Sequence, residues 1–422
     1  MDTRIFDELE ECFGQELSLA GTDLGTLESA VATVVRQLGQ GLLQRLVSRQ
    51  PNGYKGSSMA CDCGCSMRFV GHRCRDVHTV FGWIKVKRAY YYCPRCGLSS
   101  VPYDDDSGLG TESLSVGLAR ACCVLAVDDS FNQTSRKIEE LMGQQVSDKT
   151  VERVVHQVGS QATHQQDKQL KSFLNERCIP QAQVKPQRLY VCPDGTTVHE
   201  KDGWHEAKVG CIYWEDEKFE RTQRYLGRFD NSDVFGRYLW LLACECGFRE
   251  ADEVIYIGDG AAWIRTIRDQ RFKKAVFIVD WFHASEHTWD CGKSLFGEGT
   301  DAARKWAEKL LNLLWYGWTR KLLKFLEKQR GKYRGEKLKA IETLYRYISV
   351  NEEQMRYDVF RAKGYDIGSG AVEAACKHVV GKRLKQSGMI WTRLGSSATL
   401  ALRTAWLNME WESLWSRKPL AA

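Results

Sequence analysis

The stretch RLYVCPDGTTV (188–198), followed by AKVGCIYW (207–214), RTQRYLGRF (221–229), EVIYIGDG (253–260) and AVFIVDWFH (275–283), decides the fold. Each run is rich in β-branched and aromatic residues and is bounded by Gly, Asp or charge, the signature of a strand. SDVFGRYLWLLACECG (232–247) and AAWIRTIRDQ (261–270) lie between them and carry helical patterning. The predicted order is three strands, then helix, strand, helix, strand and helix.

Two acids fall at turns of this pattern. Asp194 follows RLYVCP, and Asp259 ends EVIYIG. Both run into glycine, so both carboxylates are expected to project from strand ends into a crevice. Pro193 is expected to stop strand pairing just before Asp194. A third acid, Glu373, sits on a helix expected from about Ser369 to Leu384, opened by Gly368-Ser369-Gly370. Pro-Asp-Gly and Gly-Asp-Gly are also ordinary turns. The order strand Asp, strand Asp, helical Glu is what carries the reading. Three converging carboxylates suit two Mg²⁺ ions, since hard cations take oxygen ligands and an ion pair can clamp a phosphodiester in displacement. The expected fold class is α/β, with an RNase H-like core spanning 181–410.

Outward from this core the chain changes character. Residues 284–360 are basic, Trp-rich and almost wholly helical in pattern. Of the spacing, 65 positions separate the two Asp and 114 separate Asp259 from Glu373. TLALRTAWLNMEW reads as a closing helix, and 411–422 as a tail. Upstream, Cys61-Asp-Cys63-Gly-Cys65 and Cys93-Pro-Arg-Cys96 lie about 30 residues apart, flanking the strand-like runs TVFGWIKV and RAYYYC. A Cys-x-x-Cys knuckle offers two thiolates on a tight turn, and zinc needs four. Cys93 and Cys96 supply two. Two of Cys61, Cys63 and Cys65 complete the set, with Cys61 and Cys63 favoured; His72 and Cys74 are substitutes. A zinc ribbon is therefore expected over 56–105, and a buried cluster of reduced thiols is the alternative. Residues 1–55 read as a helical segment, with apolar spacing over 24–48 suited to packing or oligomerisation.

The region 106–180 reads as helical. SFNQTSRKIEELMG ends at Gly143, a residue suited to a left-handed cap. Ser147 then caps a second helix, with Val151, Val154, Val155 and Val158 on one face. Lys149, Thr150, Arg153 and Gln157 are left to the other face, types that read phosphates and base edges. A DNA-binding helix-turn-helix is expected; an αα-hairpin with no ligand has the same pattern.

The C-terminal run GYDIGSGAVEAACKHVVGKRLKQSGMIWTRLGSSATLALR resembles the Glu block of bacterial insertion-sequence transposases with an Asp-Asp-Glu site. VDWFHASEH resembles the Asp-x-x-His block of the Mutator-like group, at Asp280 and His283. The ribbon followed by helix-turn-helix resembles a zinc-ribbon-bearing subgroup. The likeness covers about residues 60–410. It implies Asp194, Asp259 and Glu373 as catalytic Mg²⁺ ligands, with Mn²⁺ able to substitute, and structural Zn²⁺ in the ribbon. It implies an accessory role for Asp280 and His283, and a helical insertion over 284–365 that takes up the longer spacing between Asp259 and Glu373. Lys377, Lys382, Arg383 and Lys385 would meet DNA backbone, and Trp391 would stack on an unpaired base; a solvated face and a core Trp are the plainer readings. The implied activity is transposition: binding of terminal inverted repeats, phosphodiester cleavage and strand transfer, by a homo-oligomer on DNA. A regulator derived from a transposase and an RNase H-like structure-specific nuclease are the alternatives.

Composition is consistent with this. The 422 residues are 43% hydrophobic and 27% charged, which excludes a disordered chain. The net +6 divides unevenly: residues 1–50 carry 4 basic and 8 acidic side chains, 51–100 carry 8 and 2, and 301–422 carry 24 and 12. A basic ribbon and tail around an acidic middle point to a polyanionic partner. No run of about 18 uncharged apolar residues suggests a membrane span, and MDTRIFDELEE is too acidic for a secretory signal. Sixteen Cys without an export signal suggest a reducing, cytoplasmic setting.

Overall fold

The structure, a computed structural model, describes residues 11, 14, 23–109, 113–182, 184–216, 218 and 220–415. The expected tail over 411–422 is described only as far as Trp415, and most of 1–22 lies outside the described residues. Contacts divide the chain into two units. One holds the described residues up to Val155 together with Trp415, and the other is His156–Leu414.

In the first unit, helix α1 (Leu24–Arg49) begins at Asp23, whose carboxylate accepts from Thr26 N–H at 3.0 Å. It lies along strand β3 (Gly82–Tyr92), tied by side chains that replace a neighbouring strand. Gln44 Nε2 donates to Lys85 O at 2.9 Å while Lys85 N–H donates back at 2.7 Å. Strands β1 (Ser58–Ala60), β2 (Ser66–Thr79), β3 and β4 (Ser99–Ser100) form an antiparallel sheet in that order. TVFGWIKV is not one strand: the β2–β3 turn falls inside it. Thr79 Oγ1 donates to Gly82 O at 2.7 Å, and Gly82 takes a φ of 120° that a side chain would resist. Helices α2 (Pro102–Ser107), α3 (Val116–Ala126) and α4 (Phe131–Met142) follow. Gly143 ends α4 at φ 64°, as expected. Ser147 Oγ accepts from Thr150 N–H at 3.2 Å at the start of α5 (Asp148–Glu176). Val151, Val154, Val155 and Val158 are all buried. The helix runs well past residue 160, and the division between units falls within it.

The second unit is built on five strands: β5 (Arg188–Glu200), β6 (Gly203–Glu215), β7 (Arg221–Arg228), β8 (Glu253–Gly258) and β9 (Val276–Val279). Their order is β7-β6-β5-β8-β9. β5, β6 and β7 form an antiparallel meander, and β8 and β9 extend it in parallel with β5. Helix α6 (Ser232–Glu245) joins β7 to β8, and α7 (Ala262–Arg271) joins β8 to β9. Leu189, Val191, Ile212, Ile255, Ile257 and Ile278 are fully buried, which is why these strands read as continuous apolar runs.

Helices cover both faces of this sheet. Gly210 pairs with Leu226, so the next residue on β7, Gly227, points the other way. A Cβ on Gly210 would strike Leu239 of α6, whereas one on Gly227 would strike Leu400 and Val379. Leu400 belongs to α15 (Arg393–Leu407), and Val379 to the segment after Glu373. Between β9 and that segment lie α8 (Trp281–Phe296), α9 (Asp301–Trp315), α10 (Thr319–Arg330), α11 (Gly335–Val350) and α12 (Tyr357–Ala362). The Glu373 helix is α13 (Gly370–Ala375), which widens into π turns over Cys376–Gly381 and closes as α14 (Lys382–Leu384). A last short helix, α16, covers Trp411–Trp415. The protein is thus mixed α/β with two separate sheets. Among the described residues no helix is long and apolar enough to cross a membrane.

Candidate functional site

The parallel pair β5–β8 sets the site. Val191 lies opposite Tyr256, the last pair in that ladder. Asp194 is three residues beyond Val191, and Asp259 three beyond Tyr256, so adjacent strands deliver both carboxylates at the same level. Asp194 was expected at a strand end, with pairing stopped by Pro193. The ladder to β8 ends two residues before Pro193, at Val191, but the ladder to β6 continues through Pro193↔Gly210 and Asp194↔Val209 to Glu200↔Gly203. Asp194 therefore sits within a strand, braced from one side.

Asp194 Oδ1 accepts from Gly195 N–H at 2.7 Å, and Oδ2 accepts from the Cys376 thiol at 3.4 Å. Burial pushes the Asp194 carboxyl up, and the Asp259 charge adds to the effect, against those two donors and His283. Asp259 Oδ1 accepts from Ala261 N–H at 2.7 Å, and its Oδ2 lies 4.0 Å from His283 Nε2. From α11, Tyr347 donates to Asp259 O at 3.1 Å. Glu373 is exposed, three residues before Cys376 and so on the same side of the helix. Among the described residues its carboxylate does not join Asp194 and Asp259 in a set with all ligand atoms within 4.8 Å. Two carboxylates converge, and the third stands one turn from the residue touching the first.

Asp280 is not part of that group. It is 1% exposed, and both oxygens are used. Oδ1 accepts from Phe282 N–H (3.0 Å) and Ser369 N–H (2.9 Å); Oδ2 accepts from Ser369 Oγ (2.6 Å) and His283 N–H (3.3 Å). It caps α8 and holds the Gly-Ser-Gly entry to the Glu373 helix. His283 meets it through its backbone, leaving the imidazole beside Asp259 and 3.5 Å from Glu286.

The expected DNA contacts separate by burial. Lys149, Arg153, Lys377, Lys382 and Lys385 are exposed, while Thr150 is half-buried with its hydroxyl 2.9 Å from Ser147 Oγ. Arg383 and Trp391 correct the expectation. Arg383 is fully buried, its guanidinium 4.9 Å from the Trp391 ring centre, and Trp391 is 6% exposed with Nε1 donating to Leu384 O at 3.0 Å. Neither reaches a phosphate or an unpaired base. Trp204, 67% exposed and stacked on His199 at 4.8 Å, is an open aromatic face that the sequence reading missed.

In the first unit, Cys61, Cys63, Cys93 and Cys96 bring their sulfurs within 4.8 Å of one another, a set that could hold a metal ion. The Cys61–Cys96 and Cys63–Cys93 separations are 3.6 and 3.7 Å. Tetrahedral zinc with Zn–S bonds of ~2.3 Å requires about 3.8 Å between sulfurs. Cys65 is the spare thiol, accepting from Arg95 Nη1 at 3.1 Å. The Cys96 backbone N–H holds the Cys93 thiol down at about 6, favouring the thiolate a metal takes, while, against the Cys65 backbone N–H, the neighbouring thiols push Cys63 up to about 12.

A second group, Glu200, Asp202 and His205, gathers at the β5–β6 turn and was not foreseen. Glu200 is buried, accepting from Ser396 Oγ at 2.6 Å and lying 3.1 Å from Arg393 Nη2. The guanidinium already neutralises this carboxylate, so the group reads as an anchor for α15.

These features define a mixed α/β protein with paired carboxylates at the edge of a parallel strand pair and a separate four-thiol cluster. The chain belongs to the family UPF0236, described as an uncharacterised protein family, whose model matches residues 20–413. A relative from Streptococcus gallolyticus, described as "UPF0236 protein in vanSb 3'region", is 24% identical over 353 residues, covering 79% of this chain and 73% of the relative.

Proposed function

We propose that the chain is an Asp-Asp-Glu transposase of the RNase H-like, Mutator-like type, which binds the ends of an insertion sequence, cuts a phosphodiester and joins the freed 3′-OH to target DNA. One observation carries this reading: Asp194 and Asp259 stand level on adjacent parallel strands, and the helix bearing Glu373 is fastened to Asp194 through Cys376. The β7-β6-β5-β8-β9 order, with a helical insertion before the Glu373 helix, supports an RNase H-like core.

The donor set fits a hard cation: carboxylate oxygens, two of them close enough for mutual repulsion. Asp194, Asp259 and Glu373 would hold magnesium, which supplies charge stabilisation to a phosphodiester in displacement and lowers the pKa of bound water. The chain's own part is positioning. Gly195 and Ala261 N–H groups fix the rotamers of the two Asp, Cys376 fixes the second Asp194 oxygen, and Asp280 fixes the entry to α13. The four-thiol cluster is read as a structural zinc ribbon, and α4–α5 as a helix-turn-helix presenting Lys149 and Arg153 to DNA. A cytoplasmic setting and action as a homo-oligomer complete the reading.

The test is cleavage of element-end DNA with Mg²⁺, comparing wild type with Asp259→Ala. Cutting by wild type alone, followed by joined product, is expected. Equal cutting by both proteins removes the carboxylate site, and cutting without joining assigns a nuclease.

A further inference from the structure

Helix α1 has two faces with different fates. Gln40, Leu43, Gln44 and Val47 pack on the ribbon sheet, and Val34 is buried. The other face is a line of apolar side chains in solvent. Leu24, Leu27 and Val31 repeat eleven residues later as Val35, Leu38 and Leu42, and Leu46 begins a third round. All seven are between 37 and 78% exposed. Eleven residues make three turns at about 3.67 per turn, so the line runs nearly parallel to the helix axis instead of spiralling away. A flat, straight apolar stripe six turns long is suited to a second helix of the same kind.

We infer that this stripe is an interface between two copies of the chain, packed antiparallel about Val35. Three observations identify the occupant. The stripe reaches equally far to either side of Val35, with Leu24 and Leu46 each eleven residues away, so two copies related by a two-fold axis at Val35 overlap along its whole length. The charges at its two ends are polarised: Asp23 and Glu28 lie at the N-terminal end, and Arg45 and Arg49 at the C-terminal end, with Arg36 near the centre. Antiparallel packing sets Arg45 and Arg49 of one copy beside Asp23 and Glu28 of its partner, whereas parallel packing stacks Arg on Arg. The stripe exposes on the order of 600 Å² of apolar surface per copy, below but approaching the ~800 Å² per partner of a standard interface and at the upper end of the roughly 300–600 Å² of the largest apolar patch on an ordinary monomer. The inference does not rest on the phosphodiester reading and would hold for a chain with no catalytic activity.

The experiment is sedimentation velocity on the full chain at micromolar concentration without DNA. Wild type is expected to sediment as a dimer. Val35→Asp, and the milder Leu42→Lys, are expected to be monomers with unchanged far-ultraviolet dichroism. Orientation is read by oxidative crosslinking and peptide mass, which ignores the native thiols: Val35→Cys is expected to link position 35 to position 35, and Leu24→Cys not to link to itself. A monomeric wild type, as when residues 1–22 of the same chain cover the stripe, overturns the inference. So does a dimer that survives both charged variants, or self-linking at position 24.

Discussion

The thiol of Cys376 donates to Asp194 Oδ2 at 3.4 Å, joining the π turns after Glu373 to the middle of β5. A π turn in a helix is rare and concentrates at functional sites. Here it turns a cysteine onto a carboxylate that burial has already made costly to ionise. Burial, with Asp194 beside it, pushes the Cys376 thiol up, so it stays a donor.

If the chain cleaves phosphodiesters as proposed, removing that donor should slow the reaction without unfolding the protein. Hydrogen bonds to charged groups are worth about 1.5–3 kcal/mol, so Cys376→Ala should cut the single-turnover cleavage rate by about tenfold or more. Cys376→Ser, which keeps a donor, should fall between. An unchanged rate in Cys376→Ala would show that Asp194 is positioned by its backbone alone.

The sulfur geometry predicts one zinc per chain. Elemental analysis should find about one equivalent in wild type and in Cys65→Ser, and much less in Cys93→Ser. Loss of metal in Cys65→Ser would reassign the ligand set.

Asp280 should matter most for stability. Of its four accepted hydrogen bonds, the two from Ser369 are buried and the two from the start of α8 are partly buried, and deleting the acceptor strands both groups. Asp280→Ala should cost about 3 kcal/mol in urea denaturation. Asp280→Asn should recover only part of it, because an amide nitrogen would face a donor. A variant as stable as wild type would exclude the capping role.

Glu245 and Glu410 predict a pH dependence. Burial pushes both carboxyls up, against the pull of Arg224. A raised carboxyl in the folded state holds its proton where the unfolded chain has lost it, so this contribution to stability falls as pH rises through the window. At neutral pH the full cost is present. Glu245→Gln keeps an acceptor for Gln169, which donates to Glu245 at 3.2 Å, and should raise the Tm at pH 7. The gain should shrink as the pH is lowered into the carboxylate range. A Tm difference independent of pH would refute the burial argument.

Much of the second unit was legible because its strands are buried on both faces. Runs such as EVIYIG admit few other readings, and the helices between them carry clear periodicity. Strand order was not legible, since no local pattern says that β8 pairs with β5 and not with β7. Pro193 misled for a related reason: a missing N–H ends one ladder, and nothing local reveals a second partner on the other side. The DNA-contact roles of Arg383 and Trp391 rest on the transposase resemblance, and for Trp391 the plainer reading of a core side chain is the one that holds. Their burial depends on a contact between them that spacing alone does not disclose. The Glu373–Cys376 spacing did place the two on one helix side, and could have drawn attention to the thiol.

The β5–β6 hairpin has a mechanical consequence. Beyond the end of β8, its edge receives Trp391 as a fragment of a further strand: Trp391 N–H donates to His199 O at 3.1 Å, and Lys201 N–H donates to Trp391 O at 2.9 Å. The segment from Cys376 to Trp391 is thus pinned at both ends to a single strand, at Asp194 and again at His199. A segment held at two points to the strand that carries Asp194 is restrained from swinging away as a lid. Any opening of this region is expected to hinge outside those two contacts, with Asp194 and the Glu373 helix moving together.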